Sequence, residues 1–311
     1  MKKVIVGLLL TVSTALCLTG CTRSPDPKKY FTDEEMTALD GYEYTAKGTV
    51  IAMGGGFDQN DDQRMIIINK SIEICGKEKP KMLFMASGHD DEIKENEDFV
   101  RQYAAAGCDV KTLQPSKESK EAVVEKIGEA DIIYETGGNL NGLTQIWGKA
   151  GVFAEMRKAF DRGAVLVGVS TGAMCWAEMG YDNSSEEETI RVITDFPFIG
   201  KEAEYDYYYA TGILPFCVCP HFDNVAYRHF GRKAQKIDVP SLAIENGAAV
   251  VYHAGKYEIM VDPTTPKRKC YLYYPEKGIK KVDITHNADL AHYVDAYRCQ
   301  NGYKAHDEVT Q

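Results

Sequence analysis

The sequence has no excess of positive charge. Its 36 Lys and Arg residues are outnumbered by 46 Asp and Glu residues, which gives a formal net charge of −10 at pH 7. A general nucleic-acid binder needs surplus cations to displace phosphate counterions, so this balance argues against that class. The sequence also lacks internal repeats and low-complexity tracts. Its 311 residues are 44% hydrophobic and 26% charged, which excludes a wholly disordered, collagenous or coiled-coil chain.

Long hydrophobic runs are scarce, and the one at residues 4–18 follows two lysines. It is short for a membrane-spanning helix, and its basic, apolar, small-residue order is typical of a secretion signal. The sequence Leu18-Thr19-Gly20-Cys21 resembles the lipobox of bacterial lipoproteins, in which cleavage precedes a lipid-modified cysteine. We therefore expect a signal peptide at residues 1–20 and a lipid on Cys21. The protein would be exported and held at the bacterial cell envelope through that lipid only.

The cysteine content does not indicate a disulfide scaffold. Of nine cysteines, Cys17 would leave with the signal and Cys21 would carry lipid. The remaining seven are an odd number and are spread through apolar segments. This distribution predicts buried thiols and no essential disulfide framework.

From residue 49 onward, short β-branched apolar runs alternate with segments of helical periodicity. This alternation is typical of parallel strands joined by helices in an open α/β sheet. The strand candidates are residues 50–53, 82–86, 110–113, 132–134, 164–169, 216–219 and 242–244. The helix candidates are residues 63–75, 93–106, 120–127, 143–147, 153–160 and 171–179.

After Ala248 the pattern changes to consecutive strand-like runs separated by turn residues, which predicts an antiparallel extension. These runs are residues 250–253, 257–261, 271–274 and 282–284. No linker interrupts residues 49–285, so we expect one domain there, preceded by a tether and lead-in at 21–48 and followed by a tail at 286–311.

Glycine-rich segments follow two of the predicted strands. In open α/β sheets, ligands bind beyond the carboxyl ends of the strands. Gly54-Gly55-Gly56 permits a tight turn, but it lacks the spacing of a dinucleotide or phosphate-binding loop, so we expect no nucleotide cofactor. Gly137-Gly138-Asn139 can direct backbone N–H groups at a developing oxyanion, although an ordinary turn explains it equally well.

The most informative segment is Gly168-Val169-Ser170-Thr171-Gly172, which lies between a predicted strand and a predicted helix. G-x-S-x-G in this context is typical of an elbow that holds a nucleophilic serine clear of the sheet. A serine needs an imidazole to take its proton. The best candidate is His221, just past the predicted strand 216–219, and the main rival is His89.

The sequence offers several carboxylates that could orient the imidazole. Asp182 follows the elbow helix, Glu186-Glu187-Glu188 comes shortly afterwards, and Glu245 follows the predicted strand 242–244. Triads are recognised by geometry, and their chain order does not choose among these candidates.

Together these motifs resemble the S51 serine peptidases, the family of dipeptidase E, with cyanophycinase as a relative. The likeness runs from about Thr49 to Val251. It rests on Gly137-Gly138-Asn139, the elbow at Ser170, Leu214-Pro215-Phe216 with Pro220-His221-Phe222-Asp223, and Ala243-Ile244-Glu245-Asn246-Gly247. The resemblance implies a three-layer α/β/α, flavodoxin-like fold of the class I glutamine amidotransferase type, with a mostly parallel sheet and a C-terminal antiparallel extension.

The resemblance also implies roles for individual residues. Ser170 would be the nucleophile, His221 the general base, and Gly138 and Thr171 the oxyanion-hole donors. The family's acid lies between serine and histidine in the chain, which favours Asp182 over Glu245. Thr171 replaces the family's usual alanine, which predicts a narrower pocket or altered specificity.

The implied substrate is a short peptide that contains aspartate. Its carboxylate would need a cation, for which Arg228 and Arg232 are candidates, and Asn139 would also contact substrate. No metal or other cofactor is expected.

Three alternatives remain open at this stage. The protein could be a cyanophycinase-like hydrolase or a catalytically silent lipoprotein that binds a ligand in the same cleft. A zinc hydrolase would use Cys217, Cys219 and His221, whose i, i+2, i+4 spacing places them on one strand face. An amidotransferase is disfavoured, because such enzymes have cysteine at the elbow and here Cys175 lies five residues beyond it.

Overall fold

A computed structural model describes residues 47–57, 60–182, 206–227, 229–237, 239–253, 256–274, 280–286 and 290. The predicted signal peptide, Cys21 and the tether lie outside these ranges. Within them, no helix is both long enough and apolar enough to cross a membrane.

The central sheet has seven strands. They are β1 (Thr49–Met53), β2 (Lys81–Met85), β3 (Asp109–Leu113), β4 (Ile132–Glu135), β5 (Val165–Val169), β10 (Ala248–His253) and β11 (Lys256–Val261). Their order is β11-β10-β1-β5-β4-β2-β3. The first five strands in the chain are parallel, β10 is antiparallel to β1, and β11 is antiparallel to β10. β1 and β5 are fully buried, as expected for central parallel strands covered on both faces.

Helices cover both faces of this sheet. The described part of the chain contains α1 (Asp61–Cys75), α2 (Glu97–Ala105), α3 (Lys120–Glu129), α4 (Leu140–Ala150), α5 (Val152–Arg162), α6 (Thr171–Cys175) and α7 (Phe230–Lys233). Short 3₁₀ turns occur at Ser87–His89, Ile93–Asn96, Val225–Tyr227 and Ala234–Lys236.

Alternate residues of β1 enter two separate cores, because successive side chains of a strand point to opposite faces. Val50 packs with Trp147 of α4 and Met156 of α5. Ile51 packs on the other face with Ile67 of α1 and Phe99 of α2. This arrangement has the three α/β/α layers that the sequence predicts.

A second sheet of six strands lies beside the first. It contains β6 (Ala177–Asp182), β7 (Asp206–Tyr209), β8 (Leu214–Cys219), β9 (Ser241–Ile244), β12 (Cys270–Tyr274) and β13 (Lys280–Asp283). Their order is β13-β12-β9-β8-β6-β7, with β6, β8 and β9 parallel and the other three antiparallel to their neighbours.

Two details differ from the sequence-based expectation. Strands β8 and β9 belong to the second sheet, because β10 pairs antiparallel with β1 and takes the position beside it in the central sheet. The helix predicted at 171–179 ends at Cys175, and β6 follows it. Every residue from Thr171 to Asp182 is buried, so the apolar pattern has no solvent-exposed side from which helical or strand periodicity could be distinguished.

Candidate active site

Ser170 occupies a strained turn between β5 and α6. Its backbone angles are φ 56° and ψ −114°, outside the regions that L-residues favour. Holding a residue in such a conformation costs about 1–3 kcal/mol, and such residues cluster at functional sites. The turn leaves the serine partly exposed, although the adjoining strand and α6 are buried.

The two glycines of the elbow are required by close backbone packing. A Cβ on Gly168 would lie 2.2 Å from the carbonyl oxygen of Gly172, and a Cβ on Gly172 would lie 2.1 Å from the carbonyl oxygen of Glu135. These separations are well below contact distance, so any larger residue would displace the backbone. The G-x-S-x-G spacing therefore follows from the packing of the elbow against itself and against β4.

The end of β1 holds Ser170 and His221 at one edge of the central sheet. The carbonyl of Met53 accepts the N–H of Ser170 at 3.1 Å, and the next carbonyl, that of Gly54, accepts the N–H of His221 at 2.9 Å. A Cβ on Gly55 would lie 2.6 Å from His221 Nδ1. The backbones of these two residues are therefore anchored to consecutive carbonyls at the end of β1, although they are far apart in the chain.

A chain of polar contacts orients the imidazole. Nδ1 of His221 lies 2.7 Å from Oδ1 of Asn246. The backbone N–H and the side-chain amide of Asn246 both donate to Oδ1 of Asp223, at 2.8 and 2.9 Å. The guanidinium of Arg268 donates to the other oxygen of Asp223.

This chain assigns the tautomer of His221. Because the amide nitrogen of Asn246 donates to Asp223, its oxygen is the atom that points at the imidazole. Nδ1 must then carry the hydrogen of the neutral ring, which leaves Nε2 as a proton acceptor. Asparagine takes the same orienting position in the Cys-His-Asn version of the nucleophilic triad.

The segment Gly137-Gly138, called the glycine loop, lies against Ser170. A Cβ on Gly137 would lie 3.3 Å from Cβ of Ser170 and 3.7 Å from its Oγ. The hydroxyl of Thr171 donates to the carbonyl of Gly138 at 2.6 Å and thereby fixes the orientation of that carbonyl. None of the hydrogen bonds among the described residues uses the backbone N–H of Gly138 or of Thr171.

Asp182 lies at the start of α4. Its carboxylate accepts the N–H of Leu140 at 2.9 Å and is buried. Asn139, predicted to contact substrate, is the N-cap of the same helix and accepts the N–H of Gly142 at 2.6 Å. The group at Nδ1 of His221 is thus Asn246, whereas the predicted acid supports the helix that follows the glycine loop.

Of the other candidate carboxylates and cations, Glu245 and Arg232 contact other groups, and the rest lie outside the described residues. Glu245 accepts the backbone N–H of Lys269 at 3.0 Å. Arg232 is exposed and contacts His229. Arg228, Glu187 and Glu188 lie outside the described residues.

The cysteines near the site are buried thiols. Burial raises the pKa of Cys217 and of Cys219 far above the usual range, which disfavours the thiolate that zinc requires. Among the described residues, no group of three or more His, Cys, Asp and Glu side chains is arranged to hold a metal ion. Burial likewise raises the pKa of Cys175, whose thiol donates to the carbonyl of Gly172, so this thiol is not an activated nucleophile.

Comparison with known proteins identifies sequences and structures that are similar to this chain. The model of peptidase family S51 matches residues 50–260. The uncharacterized peptidase YgaJ of Bacillus subtilis (strain 168) is 28% identical over 175 residues, which are 56% of this chain and 69% of that protein. The crystal structure of a peptidase from an acI-B1 Actinobacterium has a TM-score of 0.56 and 17% identity, and the match covers 78% of this chain and 96% of that one.

The fold and these relatives define a peptidase built on a flavodoxin-like α/β/α sheet. The chain belongs to peptidase family S51. The family resemblance and the fold class predicted from the sequence are therefore confirmed.

Replacement of Gly138 by alanine tests the glycine loop. Gly138 has φ 126°, and a Cβ there would lie 2.1 Å from the carbonyl oxygen of Gly88. The family resemblance implies that the N–H of Gly138 binds the oxyanion, and for that role we expect Gly138→Ala to move the loop and to lower kcat by about 10²–10³-fold, the usual loss of one oxyanion donor. Gly148→Ala, in the exposed part of α4 with no atom within 4 Å of its Cβ, is the matched control and should retain wild-type kcat. Equal kcat values for both variants would show that the glycine loop takes no part in catalysis.

Proposed function

We propose that the protein is a serine-type peptidase that hydrolyses short peptides through an acyl-enzyme. The observation that carries this proposal is the pair of backbone hydrogen bonds that anchors Ser170 and His221 to consecutive carbonyls, those of Met53 and Gly54, at the end of β1. The strained backbone of Ser170 supports it, because such strain persists only where the surrounding structure enforces it.

The proposed reaction begins when Nε2 of His221 takes the proton of Ser170 Oγ. The oxygen attacks the peptide carbonyl, and the oxyanion of the tetrahedral intermediate accepts hydrogen bonds from the N–H groups of Gly138 and Thr171. The imidazolium then gives its proton to the departing amine, which leaves an ester on Ser170. A water molecule, deprotonated by His221, hydrolyses that ester, and Ser170 regains its proton.

The substrate that we propose is a short peptide carrying aspartate. Asn139 and Arg228 remain the predicted substrate-binding residues, the latter outside the described part of the chain. The backbone of Asn139 lies beside the glycine loop, since its N–H donates to the carbonyl of Gly88 at 2.7 Å. The extended peptide would then pass along the loop to Ser170.

The direct test combines covalent labelling with a peptide screen. A fluorophosphonate probe should modify the full-length protein at Ser170, which peptide mapping by mass spectrometry would locate. Asp-X, isoaspartyl and aspartate-free dipeptides, together with cyanophycin-like Asp-Arg peptides, should then separate a dipeptidase from a cyanophycinase-like hydrolase. A folded protein that is neither labelled nor active on any of these peptides would instead be a silent binding protein.

In place of Asp182, we propose Asn246 with Asp223 as the groups that orient His221. Asn246→Ala should lower kcat by about 10²-fold or more, within the range attributed to general base catalysis, because the imidazole loses its partner at Nδ1. Asp182→Asn keeps an oxygen for the N–H of Leu140 and should change kcat little. Steady-state kinetics on both variants decides between them. A loss confined to Asp182→Asn would restore Asp182 as the triad member.

A further inference from the structure

Glu135 is a fully buried carboxyl group with one unused oxygen. It is the last residue of β4 and has no exposed surface. Its Oε1 accepts the N–H of Gly88 at 3.3 Å, whereas its Oε2 has no hydrogen-bond partner in the described structure. The reaction proposed above makes no use of this group.

Glu135 contacts both the elbow that carries Ser170 and the Ser87–His89 turn that packs against the glycine loop. Its carbonyl oxygen packs against Gly172 of the elbow, with 2.1 Å to a Cβ built there. Its carboxyl contacts Gly88, whose own carbonyl accepts the N–H of Asn139 at 2.7 Å and packs against Gly138. The turn Ser87–His89 therefore lies between the carboxyl of Glu135 and the glycine loop.

One other buried oxygen near Glu135 also lacks a partner. It is Oδ1 of Asp91, whose charge acts on Glu135. The second oxygen of Asp91 accepts the N–H of Ser116 at 2.7 Å. Oδ1 of Asp91 can accept a hydrogen bond, and the protonated carboxyl is the form of Glu135 that can donate one.

Burial keeps that proton on Glu135. It outweighs the hydrogen bonds from the N–H of Gly88 and from the hydroxyl and N–H of Ser87, which favour the ionised form, and with a smaller contribution from the negative charge of Asp91 it raises the pKa of Glu135 to about 8. The titratable groups that act on Glu135 are Asp91, from the segment after the Ser87–His89 turn, and the Cys175 thiol of α6, and neither is a cation. Below that pH the group is a neutral hydrogen-bond donor.

We propose that Glu135 is a positioning residue whose carboxyl proton holds the Ser87–His89 turn, and through Gly88 the glycine loop, in the geometry needed to bind the oxyanion. This inference rests on the proposed function of Ser170 and the loop. Loss of the proton would place a second negative charge beside Asp91, and although Gly88 and Ser87 donate to the carboxyl, none of the titratable groups that act on it is a cation. The turn would then be displaced and the loop with it.

The experiment measures the rate of fluorophosphonate labelling against pH, because the probe has no titrating group of its own. At pH 9.5 the labelling rate of the wild type should lie at least about tenfold below the value extrapolated from its pH dependence up to pH 7. Glu135→Gln, which resembles the protonated acid, should lack this fall, and Glu125→Gln, on the exposed face of α3, should keep it. The same alkaline fall in Glu135→Gln would overturn the inference. Absence of labelling in the wild type at every pH would overturn the proposed function instead.

A second measurement follows the proton without activity. The folded pKa of Glu135, about 8, exceeds its ordinary value of 4.5, so the group's contribution to stability is complete below pH 4.5 and is lost as the pH rises to 8. The Tm of Glu135→Gln should therefore rise relative to the wild-type Tm as the pH increases from 5 to 8. A gap that does not change with pH would show that Glu135 is ionised and would overturn the inference. If Glu135→Gln does not fold, Asp91→Asn provides the test. Because the charge of Asp91 raises the pKa of Glu135, this variant should move the alkaline fall in labelling rate to lower pH. A fall at the wild-type pH would overturn the inference.

Discussion

Ser170→Ala should lower kcat/KM for peptide hydrolysis by about 10⁴–10⁶-fold and abolish labelling by a fluorophosphonate. The replacement removes the oxygen that attacks the peptide carbonyl in the proposed mechanism, and the loop and the base that remain support only slow attack by water. Steady-state assays on the best peptide of the screen, with the intact mass of the protein after exposure to the probe, measure both effects.

The elbow supplies a control for this prediction. Alanine keeps the strained φ of 56°, so Ser170→Ala should unfold at nearly the wild-type temperature. Ser170→Gly should be equally inactive but more stable, by about 1 kcal/mol or more, because glycine adopts positive φ without penalty. Wild-type turnover in either variant would remove Ser170 from the mechanism. An inactive Ser170→Ala that has also lost Tm would report unfolding rather than chemistry.

The central sheet could be predicted because its signals are local. Each of β2, β4 and β5 is a short apolar run between two helical segments, and β1 is a similar run that precedes α1. The paired antiparallel strands β10 and β11 follow from closely spaced runs with a turn between them. These patterns depend only on neighbouring residues, and the structure confirms them.

The second sheet could not be predicted for a physical reason. A buried parallel strand has the same apolar composition in either sheet, so residues 216–219 carry no signal of which sheet they join. That choice depends on β10 pairing with β1, a contact between strands about 200 residues apart, for example Thr49 with His253. Local periodicity contains no information about such a pairing.

The candidate site divides in the same way. The sequence predicts Ser170 and His221 as candidates because Ser170 directly follows β5 and His221 lies two residues beyond β8, and α/β sheets bind ligands past the ends of their strands. Their supporting groups are not predicted, because Asn246 lies 25 residues from His221 and Arg268 lies 45 residues from Asp223. Asp223 and Asn246 do lie in motifs that resemble the family, which is the one sequence signal that could have indicated them.

His221→Ala should lower kcat by about 10³–10⁶-fold, because Ser170 then has no base to take its proton. The backbone N–H of His221 still donates to Gly54, and the side chain is only half-buried, so the fold should survive and Tm should change little. Added imidazole should restore part of the lost rate, since the cavity left by the side chain opens beside Gly55. Circular dichroism and kinetics with and without imidazole measure these effects.

His89→Ala distinguishes between the two candidate bases. His89 follows β2 as His221 follows β8, but its side chain is exposed, whereas Nδ1 of His221 is already oriented by Asn246. A base must be held in one tautomer to accept a proton at the right nitrogen, and of these two candidates only His221 has a described partner at a ring nitrogen. His89→Ala should therefore stay within about threefold of the wild-type kcat, as expected for loss of a surface side chain. A large loss in His89→Ala with little change in His221→Ala would reverse the assignment.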